Sequence, residues 1–235
     1  MSADVSLQWP WRKEPSLAEI AKETDAYKPE SYLPIYERLF EPIRYMPLSL
    51  LELGIWNGGS LNAWASYFPY ARIAGLDLKL PAPLSNERIR MFEGSQADTA
   101  VLARAAAEIA PDGFDIIIDD CSHIGALAKA SFWYLFENHL KPGALYCIED
   151  WGTGYLSNGD EWPSWPDGRT FVREADSAHR MPSHDAGMVG FIKQLVDETH
   201  AISSREGDAI FESRPSKFSS MTLYFGLCVI RKAAL

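Results

Sequence analysis

Apolar positions recur along this chain in two rhythms. Short unbroken apolar runs at 49–53, 72–78, 114–119 and 144–149, with a weaker one at 89–93, predict strands covered on both faces. Between them the spacing turns helical. Leu61, Trp64, Ala65 and Phe68 form one stripe within 60–68, a strong helix fits 98–110 with Asp98 or Thr99 as its N-cap, and another fits 125–139, ending before Lys141-Pro142-Gly143. Upstream, Ser16-Leu17-Ala18-Glu19 is a capping-box pattern opening a short helix, and 30–40 carries Leu33, Tyr36, Leu39 and Phe40 on one face. This β-α-β-α order predicts an α/β, Rossmann-like fold with a mostly parallel sheet and helices on both faces. A helix is expected over 186–199. The apolar tail 218–232, broken at Gly226, is expected to add antiparallel to the sheet, as one bent strand or a tight pair.

The segment 151–185 breaks the rhythm. It is rich in Gly, Pro, Ser, Asp and Trp, and a connection of that length is expected to be functional, as a partly ordered lid over the strand ends. The chain therefore divides into a helical lead-in, 1–48, whose start around Trp9-Pro10-Trp11 is irregular, and one domain, 49–235, with the insertion at 151–185. With 235 residues there is enough chain for one sizeable core. The net charge of -10 speaks against nucleic acid as a partner, since phosphate binding needs a basic face. Neither a signal-peptide core in 1–15 nor a membrane-length apolar run is present. Cys121, Cys147 and Cys228 are odd in number and form no C-x-x-C pair. Cys147 and Cys228 lie in apolar runs, as buried thiols in a reducing cytoplasm would.

Chemistry collects where the strands end. Leu50-Leu51-Glu52-Leu53-Gly54-Ile55-Trp56-Asn57-Gly58-Gly59-Ser60 reads as a strand, a glycine turn and a helix start, where backbone can approach an anionic ligand. Trp56 stands at the second glycine of a dinucleotide G-x-G-x-x-G, but the looser E-x-G-x-x-x-G turn of methyltransferases fits. In that reading Ser60 and nearby N–H groups hold the carboxylate of S-adenosylmethionine; the bland alternative is an ordinary strand-to-helix turn. Asp77 ends the second strand about 20 residues further on, where an acid can accept both hydrogen bonds of a ribose diol. That pair serves adenosylmethionine or NAD alike. Ser95-Gln96 follows the third strand, where an amide can meet adenine, or simply form a turn before the cap Asp98.

The fourth strand runs into Asp119-Asp120-Cys121-Ser122-His123 and the fifth into Glu149-Asp150. Ligands of open α/β sheets bind at such carboxyl ends. Acids crowded there repel one another without a cation, and carboxylates suit Mg²⁺, Ca²⁺ or Mn²⁺. Successive side chains of a strand point to opposite faces, so a shared site requires the backbone to leave strand geometry at these residues. His123, three residues past Asp120, is suited to take a proton near neutral pH. His139, His179, His184 and His200 have no such context.

Taken together these strings resemble the metal-dependent sugar O-methyltransferases of macrolide and antibiotic biosynthesis, of the mycinamicin and macrocin type. The similarity rests on Leu51-Glu52-Leu53-Gly54 with Gly58-Gly59-Ser60-Leu61 and Trp64, Tyr67-Phe68-Pro69, Gly75-Leu76-Asp77-Leu78, Gly94-Ser95-Gln96-Ala97-Asp98, Asp119-Asp120-Cys121-Ser122-His123 and Glu149-Asp150-Trp151-Gly152-Thr153-Gly154-Tyr155. Thr24-Asp25 and Tyr32-Leu33-Pro34-Ile35-Tyr36-Glu37-Arg38-Leu39-Phe40 are similar to its helical lead-in. The resemblance implies a seven-stranded class I methyltransferase fold, Mg²⁺ on Asp120, Glu149 and Asp150, and His123 as general base. It implies a homo-oligomer as well. Two positions depart from the pattern: Cys121 stands where the family usually has Gly, and Ala26 follows Thr24-Asp25 in place of the usual Lys.

The expectation is thus a cytoplasmic, Mg²⁺- and adenosylmethionine-dependent O-methyltransferase acting on a small-molecule hydroxyl, the sugar of a glycosylated natural product being the family's acceptor. Glu52, Gly54, Gly58, Ser60, Asp77, Ser95, Gln96 and Asp119 form the expected cofactor side. The rivals are an NAD(P)-dependent oxidoreductase, against which Trp56 and the lack of a Y-x-x-x-K spacing count, and a non-catalytic binding module of the same fold.

Overall fold

The computed structural model describes residues 14–155, 187–199, 202–204, 211–213 and 215–234. The strands are β1 (Ser49–Leu53), β2 (Arg72–Asp77), β3 (Ile89–Glu93), β4 (Phe114–Asp119), β5 (Leu140–Ile148), β6 (Ile202–Ser204), β7 (Phe211–Ser213), β8 (Phe218–Leu223) and β9 (Cys228–Lys232). The helices are α1 (Leu17–Glu23), α2 (Leu33–Phe40), α3 (Gly59–Tyr67), α4 (Thr99–Ile109), α5 (Gly125–Asn138) and α6 (Gly187–Glu198).

One seven-stranded sheet has the order β3-β2-β1-β4-β5-β9-β8. The first five strands pair in parallel, while β9 runs antiparallel to both β5 and β8. The tail is therefore the tight pair and not the bent strand, turning where Gly226 takes φ +75°. A separate two-stranded antiparallel sheet, β6 with β7, has no counterpart in the sequence reading.

Capping and proline chemistry set the element ends. At α1 the box is reciprocal: the Glu19 N–H donates to Ser16 Oγ at 3.2 Å and the Ser16 N–H donates to Glu19 Oε2 at 2.8 Å. α2 starts later than 30, with Pro34 in its first turn, where a missing N–H breaks no helical bond. β5 begins at Leu140, so Lys141-Pro142-Gly143 lies inside the strand and not in a turn before it. The register against β4 jumps from Phe114–Leu140 to Ile116–Leu145, and that irregularity accommodates a residue without an N–H.

Apolar residues on the two faces of the sheet form two cores. Leu51, Leu53, Ile117 and Ile148 pack with α4, α5 and α6; Leu50, Ile116, Ile118 and Cys147 pack with α1, α2 and α3. Two covered faces explain why the strands read as unbroken apolar runs. Trp64 is 1% exposed and meets Tyr36 and Phe40 edge-on at 5.5 and 5.9 Å, which seats the lead-in helix α2 on α3. Removing such a side chain costs about 3–5 kcal/mol. Of the expected lid, Trp151–Tyr155 forms a 3₁₀ turn and 156–185 lies outside the described residues, as do Trp9, Trp11, His179, His184 and His200. Among the described residues no helix is long and apolar enough to cross a membrane.

Candidate active site

Strand order reverses between β1 and β4, the place where open α/β sheets bind ligands. The carboxyl ends of β1, β2, β4 and β5 open there on a cavity of about 750 Å³. Gly54, Ser60 and Asp77 line it, as do Asp120, His123 and Asp150, together with Tyr27, Lys28 and Pro29 from the lead-in. That size is in the range of small-molecule sites.

The glycine turn is built tightly. Gly54 has φ +81°, and a Cβ there would lie 2.0 Å from the Asp120 carbonyl oxygen, so the turn and the Asp120 loop are in backbone contact. Gly58 takes φ +81° as the N-cap of α3. Asp77 holds the turn: its Oδ2 accepts from the Ile55 and Trp56 N–H groups at 2.9 and 3.0 Å, and its Oδ1 accepts from the Lys79 N–H at 3.3 Å. Ser60 Oγ donates to Glu52 Oε2 at 2.6 Å, and Glu52 is fully buried behind it.

Ser95, Gln96 and Asp119 lie off the cavity lining. Ser95 Oγ accepts from the Ala97 N–H, as a turn does. Gln96, 2% exposed, spends its amide internally: Nε2 donates to Asp119 Oδ1 at 3.2 Å, and Oε1 accepts from Ser122 N and Oγ at 3.1 and 2.5 Å. Asp119 Oδ2 also accepts from Ser131 Oγ at 3.0 Å and Tyr146 OH at 3.3 Å. Burial pushes the Asp119 carboxyl up to about 7, against the pull of the Ser131 and Tyr146 hydroxyls. Asp119 and Gln96 thus anchor the 120–123 loop from beneath.

Above that anchor the backbone leaves strand geometry, as a shared site requires. β4 stops at Asp119 and β5 at Ile148, and His123 and Asp150 both take φ +52°. His123 Nε2 lies 3.9 Å from Asp120 Oδ1 and 3.9 Å from Asp150 Oδ2. One ligand atom from each of Asp120, His123 and Asp150 falls within 4.8 Å of the others, a spacing that fits a hard divalent cation. Glu149 is 1% exposed and turned inward, outside that trio. Its Oε1 accepts from Tyr36 OH at 2.7 Å and pairs with Lys28 Nζ at 2.9 Å, while Oε2 is buried with no hydrogen-bond partner. Its own burial and the Asp120 charge push the Glu149 carboxyl up, and Lys28 and Tyr36 pull it down. An orphaned buried carboxylate oxygen is the kind of unmet acceptor that a cation satisfies.

Three residues here were missed by the sequence reading. Lys28 Nζ reaches Glu52, Asp120 and Glu149 together. Tyr32 OH donates to Asp150 Oδ1 at 2.6 Å, and Tyr36 OH to Glu149. The signal was present: Tyr32 and Tyr36, four apart, share a helix face, so two hydroxyls enter together. From sequence, Tyr36 reads as part of an apolar stripe and Tyr32 and Tyr36 as part of the lead-in string, with no role at the site.

A seven-stranded sheet of this order, with a glycine turn after β1 and an acid after β2, is the class I methyltransferase fold. By sequence the chain is a homologue of the sugar O-methyltransferases of antibiotic pathways. It is 38% identical over 174 residues to mycinamicin VI 2''-O-methyltransferase of Micromonospora griseorubida, covering 71% of this chain and 39% of the relative. It is 36% identical over 173 residues to demethylmacrocin O-methyltransferase of Streptomyces fradiae, covering 71% and 39%. Among solved structures, the mycinamycin-pathway methyltransferase MycE in complex with Mg, SAH and mycinamycin VI superposes with a TM-score of 0.70 at 30% identity, over 94% of this chain and 55% of that one. The chain thus spans less than half the length of these curated relatives. No protein-family model matches it.

Proposed function

We propose that the chain is an S-adenosylmethionine- and Mg²⁺-dependent O-methyltransferase acting on a hydroxyl of a small molecule, the sugar of a glycosylated natural product. The carrying observation is the junction of two half-sites in one cavity: the glycine turn with Asp77 and Ser60, and the Asp120–His123–Asp150 trio. In this reading Gly54, Ser60 and Asp77 line the cofactor side, with Gly58 capping α3 off the lining and Glu52 orienting Ser60 from behind. Ser95, Gln96 and Asp119 serve that side indirectly, through the loop they anchor. Asp120 and Asp150 hold the cation, with the free Oε2 of Glu149 as the third oxygen. Once bound, the cofactor supplies the methyl group and the cation lowers the pKa of the acceptor hydroxyl. His123 Nε2, 3.9 Å from an oxygen of each aspartate, is in this reading not a ligand of the cation but the base that would accept the acceptor hydroxyl's proton, the methyl donor leaving as adenosylhomocysteine. Such base catalysis is typically worth about 10²–10⁴-fold. Tyr32 and Lys28 keep the two aspartates oriented.

The relatives' names support the acceptor class, and the solved neighbours' Mg and SAH support the cofactor pair. We assign 1–48 as a helical lead-in and 49–235 as the methyltransferase domain with a lid-like insertion at about 151–185, and place the protein in the cytoplasm as a homo-oligomer. The test is transfer of labelled methyl from adenosylmethionine to mycinamycin VI and a panel of glycosylated macrolides. Turnover should require added Mg²⁺ and stop with EDTA. Full turnover in metal-free buffer, or binding of NAD in place of adenosylmethionine, would overturn the assignment.

A further inference from the structure

Lys28 is 2% exposed in its side chain, and its ammonium lies 2.6 Å from Asp120 Oδ2, 2.9 Å from Glu149 Oε1 and 2.9 Å from Glu52 Oε1. The ammonium donates a hydrogen bond to Asp120 Oδ2 and stands at ion-pair distance from Glu149 Oε1 and Glu52 Oε1. Those carboxylates sit at the ends of β1, β4 and β5, so one side chain from the lead-in ties three strand ends together. The acids around the cavity are also divided by face. Asp120 is held through Oδ2 by Lys28 and Asp150 through Oδ1 by Tyr32. Their other oxygens, Asp120 Oδ1 and Asp150 Oδ2, are the ones that approach His123 Nε2.

We propose that Lys28 is a positioning residue: a resident cation that holds Asp120 and Glu149 from the inner side, so that the outer face has a divalent ion's spacing before any ion arrives. The proposal rests on the reading of that outer face as a cation site. Two effects of opposite sign meet here. An ammonium near an incoming cation repels it, so on charge alone its removal would tighten binding. Its removal also leaves Asp120, Glu149 and Glu52 as close like charges with nothing between them, and the acids then move apart or take up protons. The ammonium touches the acids at 2.6–2.9 Å, whereas the Asp120 carboxylate stands between it and the outer face, so the attraction acts over the shorter distance. Loss of the clamp therefore dominates.

The experiment is Mn²⁺ binding by electron paramagnetic resonance, on the full chain, for wild type, Lys28→Met and Lys28→Met/Glu52→Gln. Wild type should bind Mn²⁺. Lys28→Met should weaken it by about tenfold or more, the scale of losing a group that orients a metal ligand. The double variant removes a buried acid together with the ammonium, so it should melt closer to wild type than Lys28→Met does, yet bind Mn²⁺ as weakly. Where Lys28→Met does not fold, the double variant supplies the answer. Unchanged or tighter Mn²⁺ binding in either variant overturns the positioning role and leaves the cation site standing. Absence of Mn²⁺ binding by wild type overturns the cation reading, and this role with it.

Discussion

Asp119→Asn tests whether burial outweighs the donors around the Asp119 carboxyl and holds its proton above the ordinary range, beneath the 120–123 loop. The native carboxyl is pushed from its ordinary 3.8 up to about 7, chiefly by burial. Below about pH 4 both native and unfolded chains hold this proton, and above about pH 7 both have lost it. Between those limits the native state keeps a proton that the unfolded chain releases. Stability therefore falls as pH rises through the window and levels off above it. Each pH unit is worth about 1.4 kcal/mol, so roughly three units give about 4 kcal/mol at most. Asn does not titrate. It also turns an NH₂ toward Gln96, Ser131 or Tyr146, groups that donate to Asp119, and this adds a loss that does not vary with pH. The measurement is urea unfolding of both proteins in EDTA-containing buffer at pH 5, 6, 7 and 8. The stability of wild type relative to Asp119→Asn should be greatest at pH 5 and shrink toward pH 8. A difference that stays constant within about 1 kcal/mol across that range would refute the buried-acid argument.

Two further outcomes bear on the site. Gly54→Ala forces a side chain into the left-handed region, which costs about 1–2 kcal/mol, and sets its Cβ 2.0 Å from the Asp120 carbonyl oxygen. Denaturation should show a loss above about 2 kcal/mol, calorimetry should show weakened adenosylhomocysteine binding, and a near-wild-type variant would contradict the backbone contact. His123→Ala should lower kcat by about 10²-fold or more while leaving adenosylhomocysteine binding intact, and an unchanged kcat would remove His123 as the base.

The fold was legible because strand and helix signals are local. β1, β3 and β4 occupy the ranges their apolar runs indicate, and the helix ends follow caps and glycines. The misreadings were of two physical kinds. Pro142 and Gly143 carry a turn signature, but the sheet absorbs them as a register irregularity, which only the paired strand makes possible. β6 and β7 are too short to stand out from their surroundings. At the site, sequence located the acids and His123 but could not sort their two faces. Gln96 and Asp119 sit at the expected strand ends and yet face each other, because a buried amide and a buried acid satisfy one another. Lys28 was invisible for a different reason. A lysine in an irregular stretch reads as solvated, and only the fold brings it, 92 residues away in sequence, onto Asp120.

Backbone strain and polar anchoring coincide at this cavity. Of the four non-glycine residues with positive φ among the described residues, three (Trp56, His123 and Asp150) line it. Such conformations cost about 1–3 kcal/mol each and persist only where neighbours over-determine them. Each has an internal fastening: Asp77 on the Trp56 N–H, Gln96 on Ser122 next to His123, and Tyr32 on the Asp150 carboxylate. The fastenings come from β2, from the turn after β3 and from the lead-in, so no single element sets the site. Lys28 adds the same kind of restraint to Asp120 and Glu149. Asp77 and Lys28 are part of the cavity lining, while Gln96 and Tyr32 hold it from outside that lining. On the proposed function, substitutions at Tyr32 and Gln96 should therefore act through the placement of Asp150 and His123, and not through contacts of their own with the acceptor.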